Sequence, residues 1–370
     1  MISLFFLGIF IFVFLWDFYF RKHWHKHLEV SLDFVQDYVY AGEQAQMTER
    51  IENRKRMMLP ILEVAFHIRR ELVFSDFENT SVSDYTYKRD IFALMGRQRV
   101  IRTLTLDCTK RGYYRIDQSQ LTTFSLLHRR RFCAERPADT ELYVYAKRTD
   151  VSKILVACQR IIGDVQCARR LCEDPFAYAS IREYTITDPM KAINWKASAK
   201  TGNLMVNTFD STLMEKVMVY VDIEDKGILK YEYLVEESIS VAASLCSRLL
   251  RQGMEVGIRV NVSEEGQEKQ PQGYIKPAGG RKQIAEIERL LARRKTDEAA
   301  VAFSSVLAEA EEDAILIVIS KNAAENQEAI EKFCGKDGQG IWVVPFPRGE
   351  ECMAKDSDNV CIIRREVERT

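Results

Sequence analysis

The stretch "EKVMVYVDIE", residues 215–224, is an apolar run that ends in acidic side chains. Every residue from Val217 to Val221 is apolar or aromatic, which is typical of a strand buried on both faces. Similar runs follow at "MEVGIRVNVS", "AILIVIS" and "IWVVPF", and long amphipathic segments separate them. Strands that alternate with helices in this way predict a mostly parallel sheet covered on both faces. Residues 216–370 are therefore predicted to form a doubly wound α/β domain.

The segments between these strands are predicted helices, and the longest is "KYEYLVEESISVAASLCSRLLRQG" at 230–253, which ends at Gly253. Ligands of such sheets bind beyond the carboxyl ends of the strands, so the first place to look for chemistry is "VDIEDKG" at 221–227. No G-x-G-x-x-G or Walker A sequence follows any of the strands. The sequence therefore gives no support for binding of a dinucleotide or a P-loop nucleotide.

Residues 28–150 contain shorter runs in which apolar and polar side chains alternate. In "LEVSLDF", every second residue from Leu28 to Phe34 is apolar and would share one face of a strand. The same pattern recurs in "QAQMTERIEN", "LPILEVAFHI" and "RVIRTLTLDC". A period of two predicts antiparallel strands with one buried face, and several of them predict an all-β sandwich of the immunoglobulin or fibronectin kind.

The first 27 residues are predicted to be a membrane anchor with a basic flank. No ionisable side chain lies between Ile2 and Trp16, and Asp17 is the one interruption before Phe20. About 20 apolar residues suffice to cross a bilayer, so residues 2–20 predict a transmembrane helix in contact with lipid. The following "RKHWHKH" carries the positive charge, which predicts a single-pass cell-membrane protein with its N terminus outside and its other domains in the cytoplasm.

The formal net charge of −1 provides no overall electrostatic attraction for nucleic acid, and no such partner is expected. Residues 97–136 are locally basic, which predicts either contact with anionic lipid or an ordinary solvated strand face. The nine cysteines include no C-x-x-C pair and are odd in number, which argues against a disulfide framework or a zinc ribbon. Reduced thiols agree with a cytoplasmic location.

Residues 151–215 are predicted to connect the two domains, and they include the segment "IREYTITDPMKAINWKASAKTGNLMV" at 181–206. This hallmark segment resembles the bacterial proteins of domain-of-unknown-function family 58, whose pattern is approximately R-x-Y-x-x-G-D-x-x-R-x-I-x-W-x-x-S-A-R-x-x-x-L. The matching residues are Arg182, Tyr184, Asp188, Ile193, Trp195, Ser198, Ala199 and Leu204. Thr187 replaces the usual glycine, and Lys191 and Lys200 replace two arginines, so bidentate grips on carboxylates would be weaker there.

The resemblance implies that the α/β domain is similar to von Willebrand factor type A domains, many of which bind Mg²⁺ through D-x-S-x-S after the first strand. Here the corresponding positions are Asp222, Glu224 and Lys226, so both serines are absent. The aspartate expected from a later loop falls near Lys321, a cation that would repel a metal ion. We therefore expect no cofactor, a degenerate Mg²⁺ site at Asp222, and a capping or loop role for Asp222 and Asp225.

Three functions are compatible with the hallmark segment, whose candidate site residues are Arg182, Tyr184, Asp188, Lys191, Trp195, Ser198 and Lys200. It could clamp the two domains together, or it could dock a partner protein. A Ser/Lys hydrolase would use Ser198 with Lys196 or Lys200 as base, but no G-x-S-x-G or S-x-x-K motif is present, and we expect no enzyme.

Members of the resembled family are commonly encoded beside MoxR-type AAA+ ATPases. The resemblance therefore implies a membrane-tethered adaptor for such an ATPase, in assembly or maturation of envelope proteins. A membrane-surface or structural scaffold without an ATPase partner is the alternative.

Overall fold

A computed structural model describes the chain in twelve stretches: 2–76, 79–125, 130–171, 178–185, 190–209, 216–225, 230–262, 273–296, 298–308, 314–334, 340–357 and 359–369. The chain divides into two compact units. The first unit comprises Met1–Arg148 and Glu288–Lys295, and the second comprises Thr149–Ile287 and Thr296–Thr370. Strands outnumber helices among the described residues.

The first unit begins with helix α1 (Ile2–His23) and continues with ten strands. These are β1 (Leu28–Phe34), β2 (Tyr38–Tyr40), β3 (Gln44–Asn53), β4 (Leu59–Arg69), β5 (Leu72–Phe74), β6 (Thr80–Val82), β7 (Tyr85–Leu94), β8 (Arg99–Cys108), β9 (Gly112–Phe124) and β10 (Arg131–Tyr145). They form a four-stranded sheet of order β1-β3-β8-β5 and a six-stranded sheet of order β2-β10-β9-β4-β7-β6.

Alternation along the strands explains why two sheets form a core. In β3 every second side chain from Ala45 to Asn53 is buried, while those between them are exposed or half-buried. Met47 of the smaller sheet and Phe66 of the larger one belong to the same apolar cluster, as do Leu106 and Leu142. Each sheet therefore buries one face against the other.

The predicted fold class included an N-terminal transmembrane helix, and the structure places helix α1 there. No helix among the described residues is long and apolar enough to cross a membrane. The predicted transmembrane helix over residues 2–20 is therefore wrong, and with it the fold class that included it. Asp17 lies within the apolar run. The last turn packs against protein: Phe20 and Trp24 are almost fully buried in a cluster that includes Leu28 and Leu59 of the sandwich.

The second unit contains helices α2 (Ser152–Leu171), α3 (Trp195–Thr201), α4 (Glu232–Arg251), α5 (Arg281–Arg293), α6 (Phe303–Ala308) and α7 (Ala323–Cys334), although the end of α5 belongs to the first unit. Its strands are β11 (Tyr178–Glu183), β12 (Met205–Phe209), β13 (Lys216–Val221), β14 (Glu255–Val260), β15 (Tyr274–Ala278), β16 (Ile315–Ile319), β17 (Gly340–Pro347) and β18 (Val360–Val367). Strands β11 and β12 form a separate antiparallel pair. The others form one sheet of order β15-β14-β13-β16-β17-β18.

Strand β13 lies inside this sheet, which explains its continuous apolar sequence. It pairs in parallel with β14 on one side and β16 on the other, so Val219 lies between Ile258 and Ile317. All strands of the sheet are parallel to their neighbours except β15, which is antiparallel to β14. Parallel pairing brings the carboxyl ends of β13, β14 and β16 to the same edge, where ligands of such sheets bind.

Candidate functional site

The hallmark segment, residues 181–206, is built on the β11–β12 pair. Arg182 is opposite Val206 and Glu183 is opposite Met205 in the antiparallel register. The Tyr184 N–H continues the pairing by donating to the Leu204 carbonyl at 2.9 Å. Ile193 forms an isolated bridge with Val206, and both side chains are buried. The described part of the connection that begins at Met190 therefore folds back onto β12.

Helix α3 is fixed at both ends by its own sequence. The Asn194 side chain accepts from the Ala197 N–H at 3.0 Å, which is a standard N-cap, and its backbone N–H donates to the Met205 carbonyl at 2.8 Å. At the other end, Gly202 adopts a left-handed conformation with φ of 81° and donates to the Ser198 carbonyl. These caps hold a seven-residue helix that would be marginal in isolation.

Ser198 has a structural role in this arrangement. Its hydroxyl donates to the Asn194 carbonyl at 2.8 Å and accepts from the Met205 N–H at 2.8 Å, which ties α3 to β12. The side chain is buried, whereas Lys196 and Lys200 are exposed. The described contacts of this hydroxyl are thus to the backbone, which favours a positioning role over that of a nucleophile held by a base.

Several side chains of the hallmark segment face solvent. Trp195 is 64% exposed, and Met190, Leu204 and Ile181 are also exposed apolar residues. Ile193 and Val206 are buried in the same segment, so its apolar side chains divide between the interior and the surface. The exposed cations are Arg182, Lys191, Lys196 and Lys200, while Tyr184 is half-buried. Asp188 lies outside the described residues.

The second candidate site is the Asp222 centre, at the carboxyl edge of the second-unit sheet. Asp222 follows β13 and is completely buried. Its Oδ1 atom accepts from the Asn261 side chain at 2.8 Å and the Glu224 N–H at 3.0 Å. Its Oδ2 atom accepts from Ser320 at 2.7 Å, Asn322 at 2.9 Å and Asn326 at 3.1 Å. Five donors from four parts of the chain therefore surround one carboxylate.

The amides of this centre also hold the loops that follow the strands. Asn261 accepts from the Ile223 N–H at 2.8 Å, and Asn322 donates to the Glu224 carbonyl at 2.8 Å. Asn261 follows β14, while Ser320 and Asn322 follow β16. Because buried polar groups need partners, the Asp222 centre fixes three loops at the ligand-binding edge of the sheet.

Asp225 and Lys321 form a buried ion pair beside the Asp222 centre, and each side chain is 6% exposed. The other carboxylate oxygen of Asp225 accepts from the N–H of Tyr231 at 2.7 Å, immediately before α4. This contact is consistent with the predicted capping role of Asp225. The Lys321 ammonium also lies 5.9 Å from the centre of the Tyr231 ring.

The residues of this edge do not fit the Mg²⁺ ion that the family resemblance implies. Both carboxylate oxygens of Asp222 already accept hydrogen bonds from N–H or O–H groups. A metal ion would have to displace several of these donors, and it would stand close to the Lys321 ammonium, which already neutralises Asp225. Among the described residues, no group of three or more His, Cys, Asp and Glu residues could hold a metal.

Because the Asp222 centre is already satisfied, millimolar Mg²⁺ is expected to leave the melting temperature of the protein unchanged. Differential scanning fluorimetry with Mg²⁺ or with a chelator measures this directly. The matched control is Lys321→Ala, which leaves Asp225 without its ammonium partner but keeps the five donors to Asp222, so it is also expected to show no response to Mg²⁺. A rise of several degrees in the wild-type protein, abolished by Asp222→Asn, would contradict this interpretation.

The basic stretch 97–136 is partly neutralised where the structure describes it. Arg99 pairs with Glu52 at 3.1 Å, and Arg115 pairs with Asp117 at 2.8 Å. Arg102 pairs with both Glu49 and Asp90. These pairs fit a solvated strand face more closely than a concentrated lipid-binding surface, and contact with anionic lipid stays a prediction.

Sequence reasoning missed most members of the Asp222 centre. Asn261, Ser320 and Asn322 lie within three residues after the carboxyl ends of β14 and β16, so the strand pattern could have pointed to them. Asn326 lies one turn inside α7, where its sequence context carries no comparable signal. Helix α2 and the edge strands β15 and β18 were also not predicted from the sequence.

The second compact unit thus contains both an α/β sheet and a capped segment built from β11, α3 and β12. Residues 180–339 match the family described as "Protein of unknown function DUF58", which supports a DUF58 family protein. The match covers the hallmark segment and most of the sheet, and it agrees with the resemblance drawn from residues 182–204. A search of curated proteins finds no match.

Solved structures similar to this chain cover about a third of it. The CARDB domain of a Pyrococcus furiosus protein is 18% identical, with 31% of this chain and 93% of that chain covered and a TM-score of 0.21. A non-cellulosomal cohesin from Archaeoglobus fulgidus is 9% identical, with 35% and 97% covered and a TM-score of 0.22. Similarity at this level carries no argument about function.

Proposed function

We propose that this chain is an adaptor that binds a partner protein through the hallmark segment. The observation that carries the proposal is the 64% exposure of Trp195 on a helix whose backbone is held in place. A large aromatic side chain is normally buried, and Trp is the residue type most enriched at energetic centres of protein interfaces. Because Asn194 and Ser198 fix α3, little conformational entropy would be lost when a partner covers Trp195.

The exposed cations of the hallmark segment indicate the chemistry of the partner surface. Arg182, Lys191, Lys196 and Lys200 are all exposed. Cations in the same segment as an apolar anchor favour an acidic surface on the partner, which would speed association and select against basic competitors. Arginine is also enriched at binding hot spots, so Arg182 is expected to contribute more than the lysines.

The family resemblance supplies the identity of the proposed partner, a MoxR-type AAA+ ATPase. Members of the resembled family are commonly encoded beside such ATPases. Assembly or maturation of envelope proteins is the process that the resemblance implies for such a pair. The geometry of the hallmark segment supports a docking role and leaves the choice of ATPase to the experiment.

Affinity capture of the full-length protein tests this proposal. Trp195→Ala combined with Arg182→Glu is expected to reduce enrichment of the ATPase at least tenfold, since it removes the aromatic anchor and reverses an exposed charge of the same segment. The matched control is Met353→Ala with Lys355→Glu, another exposed apolar and cationic pair in the second unit. Equal capture by the wild-type and Trp195 variants would contradict docking. A variant that unfolds would instead assign the segment a clamping role.

A further inference from the structure

The outer face of the six-stranded sheet in the first unit contains an open groove of about 680 Å³. This volume lies within the range of roughly 300–1,000 Å³ that is common for small-ligand sites. Its floor is Ala65 of β4, which is opposite Arg89 of β7 on one side and Gln120 of β9 on the other. A methyl group between two long side chains leaves a depression in an otherwise filled sheet face.

Neutral hydrogen-bonding groups and aromatic rings line most of this groove. Gln118 and Gln120 present amides from β9, and Ser81 presents a hydroxyl from β6. His67 and Tyr87 are directly opposite each other on β4 and β7, with ring centres 6.0 Å apart. Both rings are exposed. Amides and hydroxyls can each donate and accept, so the groove offers many hydrogen bonds together with aromatic surface.

The charged residues of the groove nearly cancel each other. Arg89 forms a 3.0 Å ion pair with Glu63, and Glu135 contributes one carboxylate to the lining. Lys88 also lines the groove, but its side chain is almost fully buried and its ammonium lies 3.9 Å from the Asp90 carboxylate. An anionic ligand such as nucleic acid would require an excess of exposed cations, which this lining does not offer.

The position of the groove excludes a peptide ligand that binds by adding a strand to the sheet at the groove floor. Ala65 on the groove floor is paired with Arg89 of β7 on one side and with Gln120 of β9 on the other, the last pair between β4 and β9, so the backbone of this residue already lies within the sheet. A peptide that adds a strand would need an exposed sheet edge. A ligand in this groove would therefore be bound by the side chains on the sheet face.

We propose that this groove binds a neutral saccharide. A sugar presents hydroxyls that both donate and accept, which match the amides of Gln118 and Gln120, and an apolar C–H face that can stack on Tyr87 or His67. The ligand would lie across β9, β4 and β7 with Ala65 beneath it. This site is separate from the hallmark segment, so it adds a function to the proposed adaptor.

Isothermal titration calorimetry of the full chain with chitotriose, cellotriose and maltotriose tests the proposal. At least one of the three is expected to bind, and Ala65→Ile is expected to abolish that binding because it fills the floor. This variant suits a strand and should not unfold the sheet. Tyr87→Ala should weaken binding by about tenfold through lost stacking.

The matched control for Tyr87 is Tyr85 on the same strand. The two tyrosines are similarly exposed and both contact the His67 ring, but only Tyr87 lines the groove. Tyr85→Ala should therefore leave the affinity within about twofold of the wild type. Absence of binding by all three sugars at millimolar concentration would overturn the proposal. Binding that survives Ala65→Ile, or that is lost equally with Tyr85→Ala, would also overturn it.

Discussion

Asp222→Ala is expected to lower the free energy of unfolding of the second-unit sheet by about 4 kcal/mol. Asp222 is fully buried and accepts five hydrogen bonds. Its removal would leave the donors of Asn261, Ser320 and Asn326 without their carboxylate. Each buried donor that loses its partner costs roughly 1–3 kcal/mol, although local rearrangement would recover part of this sum.

Hydrogen exchange locates this effect better than a single unfolding curve, because the chain has two compact units. Peptides from β13 and β16 are expected to exchange much faster in Asp222→Ala, whereas peptides from β3 and β8 should be unchanged. The matched control is Asp356→Ala, which breaks a solvent-exposed ion pair with Arg364 and should cost less than about 1 kcal/mol. Equal protection of β13 in the wild-type and Asp222→Ala proteins would refute the structural role of the centre.

The second large effect is a pH dependence of the free energy of unfolding of the first unit, which arises from Glu49 on β3. Burial raises the pKa of Glu49 to about 7, despite the Arg102 guanidinium 3.3 Å away. Asp90 raises this pKa further, whereas Arg102 and Lys88 lower it. The side chain is nearly inaccessible, so its charged form cannot be solvated by water.

The direction in which stability changes with pH follows from the number of protons that the folded and unfolded states bind. Between the unfolded pKa of about 4.5 and the folded pKa of about 7, the native state holds a proton that the unfolded chain releases. The first unit should therefore lose stability as pH rises through this window, by about 3 kcal/mol in total. Above the folded pKa, the contribution from Glu49 should no longer change.

Glu49→Gln is expected to remove this pH dependence, because glutamine does not titrate. Urea unfolding of the two proteins between pH 4.5 and 8 provides the comparison, with hydrogen exchange of β3 and β8 assigning the change to the first unit. The control is Glu52→Gln on the same strand: hydrogen bonds from Arg99 and Arg50 lower the pKa of Glu52 to about 2, so it titrates outside the window. Parallel pH curves for Glu49→Gln and the wild type would show that Glu49 is charged in the folded protein.

The central strands and the long helix α4 of the second unit could be predicted from the sequence because they depend on local periodicity, whereas α2, β15 and β18 were not predicted. The helix predicted to end at Gly253 does end there: α4 finishes at Arg251, and Gly253 has a φ of 89°. Strands β13 and β16 lie where the apolar runs predicted them. The membrane helix predicted for residues 2–20 was wrong because contacts with distant residues are not visible in local periodicity. Local hydropathy cannot reveal that Phe20 and Trp24 pack against a sandwich formed later in the chain.

The candidate sites were harder to predict because they depend on contacts between distant residues. Asp222 was singled out, but its partner Asn326 is 104 residues away. Lys321 was expected to repel a metal ion, and its pairing with Asp225 needed the three-dimensional register of β13 and β16. For Trp195 the sequence left open whether the side chain packs in a clamp or is presented to a partner, and only the structure shows that it is 64% exposed.

Hydrogen exchange of the protein with and without a purified MoxR-type AAA+ ATPase decides whether the hallmark segment is a docking surface. Peptides that cover 190–206 are expected to exchange more slowly in the complex, whereas peptides from the six-stranded sheet of the first unit should be unchanged. Trp195→Ala with Arg182→Glu should lose this protection while its free-state exchange is unchanged. Binding of the ATPase with protection elsewhere and none over 190–206 would contradict docking through this segment.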